Sequence, residues 1–168
     1  MATEYITSGA RFSECKRYRF TLWREWDVSR PLIVWCGLNP STADETKDDP
    51  TIRREVAFSK EWGFGRYVKV NAYAFRATNP QFMLSAEDPV GPGNIETIIE
   101  NAQRALMFIA CWGANINPSH AYTLRRALQD CYGLTTHCLG LTKSNEPKHP
   151  LYLKSDTKPI KWIWTERP

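Results

Sequence analysis

Long apolar runs are missing from this chain of 168 residues. None approaches the roughly 20 residues that span a bilayer. The polar start Met1-Ala2-Thr3-Glu4-Tyr5 lacks the apolar core of a signal peptide, so the expectation is a cytoplasmic protein with no membrane partner. Histidine is scarce, with only His120, His137 and His149, and the five cysteines (Cys15, Cys36, Cys111, Cys131 and Cys138) contain no C-x-x-C pair. A zinc site is thereby disfavoured, and neither a metal nor another cofactor is expected. The odd number of cysteines, with Cys36 and Cys111 in apolar strand-like runs, points to reduced and mostly buried thiols. A G-x-S-x-G elbow is absent, which argues against a Ser-His-Asp hydrolase. A P-loop is absent too, and no G-x-G-x-x-G follows the first strand. Trp62-Gly63-Phe64-Gly65 precedes a strand and reads as a helix stop. No repeat or low-complexity segment occurs. Strong charge of either sign is missing as well. The formal net charge of +4 suits an anionic ligand without by itself arguing for DNA.

What the chain does contain is organised around Trp35-Cys36-Gly37-Leu38-Asn39-Pro40-Ser41-Thr42-Ala43-Asp44. The apolar run Leu32-Ile33-Val34 before it reads as a buried strand, and the polar turn sits at the strand's carboxyl end, where ligands bind in open α/β sheets. Asn39 stands out: Pro40 restricts it to extended geometry, and its carboxamide offers two donors and an acceptor. The plainer alternative is that Asn39 and Ser41 only form a turn.

The same arrangement recurs along the chain. Tyr18 to Trp26 alternates as an antiparallel edge strand, turned at Asp27-Val28-Ser29-Arg30 into the first core strand. Asp49 and Pro50 open a helix that Gly63 stops. Tyr67-Val68-Lys69-Val70 is a second strand, ending in Asn71 through Pro80. A long irregular stretch then leads to a helix capped by Asn94. Residues 105 to 111 form a third, wholly apolar strand ending at Trp112-Gly113-Ala114-Asn115. Pro118 opens a helix running to Tyr132-Gly133. The fourth strand, residues 136 to 141, delivers the polar loop from Thr142 to Tyr152, and the tail with Trp162 and Trp164 packs as a last extended segment. The implied fold is one α/β domain over residues 1 to 168: a three-layer α/β/α arrangement with a four-stranded, mainly parallel sheet and an N-terminal antiparallel edge strand. Right-handed crossovers place all four polar strand ends on one edge.

Those ends supply carboxamides (Asn39, Asn71, Asn115), aromatics (Tyr73, Phe75, Trp112), bases (Arg76, Lys143, Lys148) and His149, with Ser41 beside Asn39. Such a set suits a nucleobase and its phosphates. Bases stack on aromatic faces, an Asn reads a Watson–Crick edge, and Arg and Lys take phosphate oxygens. Each residue also has an ordinary alternative: the aromatics as core, the lysines as a solvated face, His149 as an exposed loop residue. The acidic run Asp44, Glu45, Asp48, Asp49 would repel a phosphate unless it points away or holds a cation. One of its members is a candidate general base.

Gly37 to Asp44, Asp49 to Arg54, Trp62 to Gly65, Asn71 to Pro80, Asp88 to Pro92, Trp112-Gly113, Leu139 to Lys143 and Lys148 to Leu153 together closely resemble the bacterial and phage family catalogued as domain of unknown function 1643. The order of motifs is also similar, more distantly, to the uracil-DNA glycosylase superfamily. Gly37-Leu38-Asn39-Pro40 resembles its Gly-x-Asn-Pro loop, Gly63-Phe64-Gly65 to Asn71 its second motif, and His149-Pro150 its late His-Pro loop. This resemblance implies a uracil-DNA-glycosylase-like fold and hydrolysis of an N-glycosidic bond on a damaged or modified base in DNA. It further implies that Asn39 orients water, Asn71 reads the base, Tyr73 or Phe75 stacks on it, and His149 stabilises the leaving base or a phosphate. Leu151-Tyr152-Leu153 stands where glycosylases usually carry a Ser and an intercalating wedge. The alternative expectation is therefore a non-catalytic nucleotide binder, for example a phage protein that sequesters a nucleotide immune signal. The sequence leaves the oligomeric state open.

Overall fold

The structure of the chain, a computed structural model, describes residues 4–131 and 133–164. The expectations for residues 1–3 and for Tyr132 at a helix end lie outside the described residues. The elements in order are β1 (Thr7–Phe12), β2 (Arg19–Glu25), β3 (Leu32–Gly37), α1 (Pro50–Glu61), β4 (Arg66–Asn71), α2 (Pro80–Leu84), α3 (Asn94–Arg104), β5 (Met107–Ala110), α4 (Pro118–Gln129), β6 (Thr136–Cys138), a 3-10 turn (Pro150–Tyr152) and β7 (Ile160–Lys161). All seven strands form one sheet, in the order β1-β2-β4-β3-β5-β6-β7. The central four, β4-β3-β5-β6, are parallel, and the flanking pairs are antiparallel.

Every residue of β3 is buried, as expected of a strand covered on both faces. Its side chains alternate between two cores. Leu32, Val34 and Cys36 join Ile98 and Ala102 of α3 and Leu124 and Leu128 of α4. Ile33 and Trp35 join Ile52, Val56 and Phe58 of α1. The three layers are therefore α1, the sheet, and α3 with α4. α1 starts where its sequence says it should: Asp49 accepts from the Ile52 N–H at 2.9 Å, and Pro50 occupies the first turn, where a missing N–H costs nothing. Among the described residues no helix is long and apolar enough to cross a membrane.

Five expectations need correction. The sheet has seven strands rather than four plus one. β2 is not at the edge, because β1 pairs outside it, and β7 closes the other side. β2 also does not form a hairpin with β3 but pairs with β4. The turn at Asp27 to Arg30 carries the chain past one strand position, and β4 fills the gap by parallel pairing on β3. Local alternation can mark a strand but not its neighbour. Asn94 is not the N-cap of α3. Gly93, at a φ of +67°, takes that position, and the Asn94 amide instead donates to the carbonyls of Asn71 at 2.9 Å and Ala72 at 3.3 Å. α2 lies within the stretch expected to be irregular.

A buried ion pair ties α1 to the sheet. Glu55 on α1 is 0% exposed and Lys69 on β4 is 4% exposed. Lys69 Nζ lies 2.6 Å from Glu55 Oε1, and the Tyr67 hydroxyl donates to Glu55 Oε2 at 2.5 Å. Both carboxylate oxygens are thus satisfied, the condition under which such a pair is tolerated away from water. Removing one partner strands the other charge. Lys69→Met is expected to lower the unfolding free energy by about 3–5 kcal/mol in urea titrations. Lys69→Met combined with Glu55→Gln, which keeps an acceptor for Tyr67, should recover at least half of that loss. A single variant as stable as the native chain would contradict this account.

Candidate functional site

The parallel strands end together, and the turns leaving them enclose a cavity of about 450 Å³, within the roughly 300–1,000 Å³ usual for small-molecule sites. Gly37 to Asn39 and Ser41 line it from the turn after β3. Lys69 and Asn71 come from β4, Trp112 to Asn115 from the turn after β5, and His149, Leu151 and Tyr152 from the last loop. Asp49, Thr51 and Ile52 at the start of α1, Ala77, Thr78 and Pro80 near α2, and Arg19 of β2 complete the wall.

Asn71 is the most telling residue in this cavity. It is 1% exposed, and both its Oδ1 and its Nδ2 lack any hydrogen-bond partner. A buried carboxamide with neither end satisfied costs several times what a made hydrogen bond returns, so native proteins rarely retain one without use. Gly37 makes room for it. A Cβ at Gly37 would lie 2.6 Å from Lys69 Nζ and 3.1 Å from Asn71 Oδ1, so the glycine of the Gly37-Leu38-Asn39-Pro40 stretch leaves the polar floor beneath it undisturbed.

Asn39 is fixed from the other side. Its Nδ2 donates to Ala77 O at 2.7 Å and Pro40 O at 3.1 Å, with Phe75 O at 3.5 Å. Backbone carbonyls accept only, so the amide orientation is settled and Oδ1 is left as a free acceptor. His149 accepts the Leu151 N–H on Nδ1 at 3.2 Å. The neutral ring must then carry its proton on Nε2 as a donor. Burial first, and then the nearby Lys69 ammonium, hold the His149 pKa below its ordinary value, which keeps the ring in that neutral form. Asp49 uses one carboxylate oxygen on the Ile52 N–H and has the other free. Of the acidic run, Asp49 alone lines the cavity. Asp44 closes its own loop on Thr46 and Lys47, and Asp48 pairs with Arg24 at 2.8 Å. No cluster of three or more metal-ligating side chains occurs among the described residues.

Of the residues selected from sequence, Asn39, Ser41, Asn71, Trp112 and His149 are brought together here. Tyr73, Phe75, Arg76, Lys143 and Lys148 are not. Tyr73 turns to the α3 and α4 side, with its ring 4.6 Å from His120 and its hydroxyl accepting the Asn117 N–H. Phe75 packs edge-on against Tyr18. Arg76 donates to Lys16 O and covers the Phe12 ring. Lys143 lines a separate hollow with Arg125 and Trp164, and the Lys148 stem lies over Gly140. Even Trp112 reaches the cavity through its turn while its indole N–H donates to Glu146 at 2.7 Å and its ring meets Trp162. The stacking and phosphate roles thus lose their expected bearers.

The sequence did not single out Arg19, Lys69 and Tyr152 as cavity residues, and it offered Asp49 only as one of four acidic residues that could include a general base. For Lys69 a signal existed: a lysine inside the apolar strand Tyr67 to Val70 has to find a partner, and Glu55 falls on the apolar stripe of α1 with Ile52, Val56 and Ser59. Tyr152 is 89% exposed at the cavity mouth, a position that no local pattern reveals.

A sheet with four parallel strands at its centre and a polar, partly unsatisfied cavity at their carboxyl ends defines an α/β protein with a candidate small-molecule site at that edge. The chain belongs to the family described as proteins of unknown function DUF1643, which it matches over residues 19–151. No curated protein and no solved structure matches it significantly.

Two outcomes follow from this geometry. Asn71→Leu removes the orphaned amide and should raise the stability of the ligand-free chain by about 1–2 kcal/mol in urea unfolding, while abolishing ligand binding. A destabilised Asn71→Leu would mean that the amide serves the fold. His120, His137 and His149 are all held below the ordinary 6.5, chiefly by burial. Each is neutral in the folded chain where the unfolded chain takes a proton. Stability should therefore be fully present above about pH 6.5 and fall as the pH drops below it. Urea midpoints measured in steps down to about pH 5 check this, and His149→Gln should flatten the slope.

Proposed function

We propose that this cavity receives a nucleobase and that the chain hydrolyses the N-glycosidic bond joining a damaged or modified base to its sugar in DNA. The observation that carries the reading is the unpartnered Asn71 carboxamide: a donor and an acceptor side by side match the Watson–Crick edge of a base, which supplies the complementary pair. The motif order resembling the uracil-DNA glycosylase superfamily supports the same reaction. In this reading Asn39 Oδ1 and the free oxygen of Asp49 hold a water against the sugar. As the water oxygen bonds to C1′, the bond from C1′ to the base nitrogen breaks. Asp49 takes the water proton, and the His149 Nε2–H hydrogen-bonds the departing base as it gains electrons. The exposed Tyr152 ring offers a stacking face at the entrance, in place of Tyr73 and Phe75.

The test is incubation of the purified protein with DNA carrying uracil, mismatched thymine, or hydroxymethylated or glucosylated bases. Abasic sites are expected with one of these substrates, and Asn39→Ala or Asp49→Asn should slow the reaction by roughly 100-fold or more. The enzyme reading is overturned if no DNA yields abasic product while a nucleotide binds stoichiometrically and is recovered unchanged. The cavity would then serve as a nucleotide binder.

A further inference from the structure

Arg19 opens β2 at the carboxyl edge of the sheet, with its backbone N–H on Ala74 O at 2.9 Å. It is 2% exposed and lines the cavity. Its guanidinium makes one hydrogen bond to protein, Nη1 to Ala43 O at 2.8 Å. Nε is buried without a partner, and no carboxylate of the described residues pairs with it. Arg24, equally buried five residues along the same strand, shows what a structural arginine needs here: Asp48 on Nε, and the carbonyls of Trp23 and Asp44 on its two amino groups. Other arginines also have an unpartnered Nε, but they differ. Arg125 has its charge met by Glu146, and Arg54 and Arg76 are only half-buried and lie off the cavity. Burial lowers the Arg19 pKa to about 10, so it remains a cation at neutral pH. Asp49 lines the same cavity yet forms no ion pair with it, being tied to the first turn of α1 through Ile52.

A buried, charged, planar fork with donors to spare is made for an oxyanion. We infer that Arg19 is the anion subsite of the cavity and takes the phosphate attached to the sugar of the bound nucleotide. The identity of the rest of the ligand rests on the base-binding reading, whereas the anion subsite rests on Arg19 itself. Arg76, Lys143 and Lys148 lie away from the cavity, which leaves Arg19 as its one cation without a carboxylate partner among the described residues. Ser41 lines the same cavity, its hydroxyl has no partner among the described residues, and it can add a donor. The phosphate comes either from a free nucleotide, as a terminal monoester, or from a strand, as an internal diester.

Calorimetry with the full chain tests this, using the common deoxynucleosides, their 5′- and 3′-monophosphates, inorganic phosphate, and a short single-stranded oligonucleotide without terminal phosphates. For whichever nucleoside binds, one of its monophosphates should bind at least about tenfold more tightly, and inorganic phosphate should reduce that advantage by competition. Arg19→Gln should remove most of the advantage. Equal binding of nucleoside and monophosphate to the native chain overturns the inference, as does an Arg19→Gln variant that weakens both by the same factor, since a merely structural arginine would act that way. If Arg19→Gln does not fold, the comparison on the native chain decides. If no nucleoside binds but inorganic phosphate raises the melting temperature of the native chain and not of Arg19→Gln, the anion subsite stands and the base reading falls. Oligonucleotide binding that matches the monophosphate and depends on Arg19 assigns the site to a strand diester. Its failure assigns the site to a free nucleotide.

Discussion

The ion pair between Glu55 and Lys69 is the constraint from which the rest of the site follows. It places an ammonium group under the end of β3, where any side chain in place of Gly37 would have to displace it. It locks α1 against β4 in one register, because both carboxylate oxygens are used, one by Lys69 and one by Tyr67. With α1 fixed, its first turn delivers Asp49 to the cavity, and with β4 fixed, Asn71 arrives two residues beyond Lys69 on the same face of the strand. A pair so desolvated is weak evidence of net stabilisation. Its worth here is geometric, since an apolar replacement would fill the space without orienting the helix.

Around that floor the walls are built from backbone rather than from side-chain packing. The turn after β3 continues the pairing with β4 through Ala72 N–H to Gly37 O and Tyr73 N–H to Leu38 O, and the Asn39 amide then crosses to the Ala77 carbonyl. On the far side Gly113 N–H donates to Pro147 O, and Arg54 of α1 holds the Leu153 carbonyl, so the loop carrying His149 is anchored at both ends. The acidic loop is neutralised by wrapping around Arg24, which explains how four carboxylates can stand beside a site suited to an anion: Asp48 is spent on Arg24, Asp44 on its own loop, and only Asp49 looks inward. Of the cavity groups with hydrogen-bonding capacity left over, Asn39, His149 and Arg19 are each oriented by a bond to the backbone, whereas the Asn71 carboxamide has neither end satisfied.

Much of this was written in the chain's local pattern. The apolar runs at 32 to 38 and 105 to 111 read as strands, the second narrowing in the structure to β5 with Leu106 exposed, and the Asp49-Pro50 pair reads as a helix start, so the alternation of strands and helices and the shared carboxyl edge were legible. Asn39, Ser41, Asn71, Trp112 and His149 could be placed at that edge because a strand end has a direction. The sequence by itself thus determined the class of fold and the edge at which a ligand would sit. Only the tertiary structure decided which strand pairs with which, since hydrogen-bond partners in a sheet come from distant residues and leave no local trace. It also decided which side of each turn faces the cavity. Tyr73 and Arg76 leave the same strand end as Asn71 yet point elsewhere, because the chain bends after Ala72 and side-chain direction no longer follows a period of two. Arg19 shows the converse: in sequence it is an ordinary polar residue on an amphipathic strand, and it becomes a buried cation only through distant partners, Phe12 of β1, Ala74 beyond β4 and the Ala43 carbonyl.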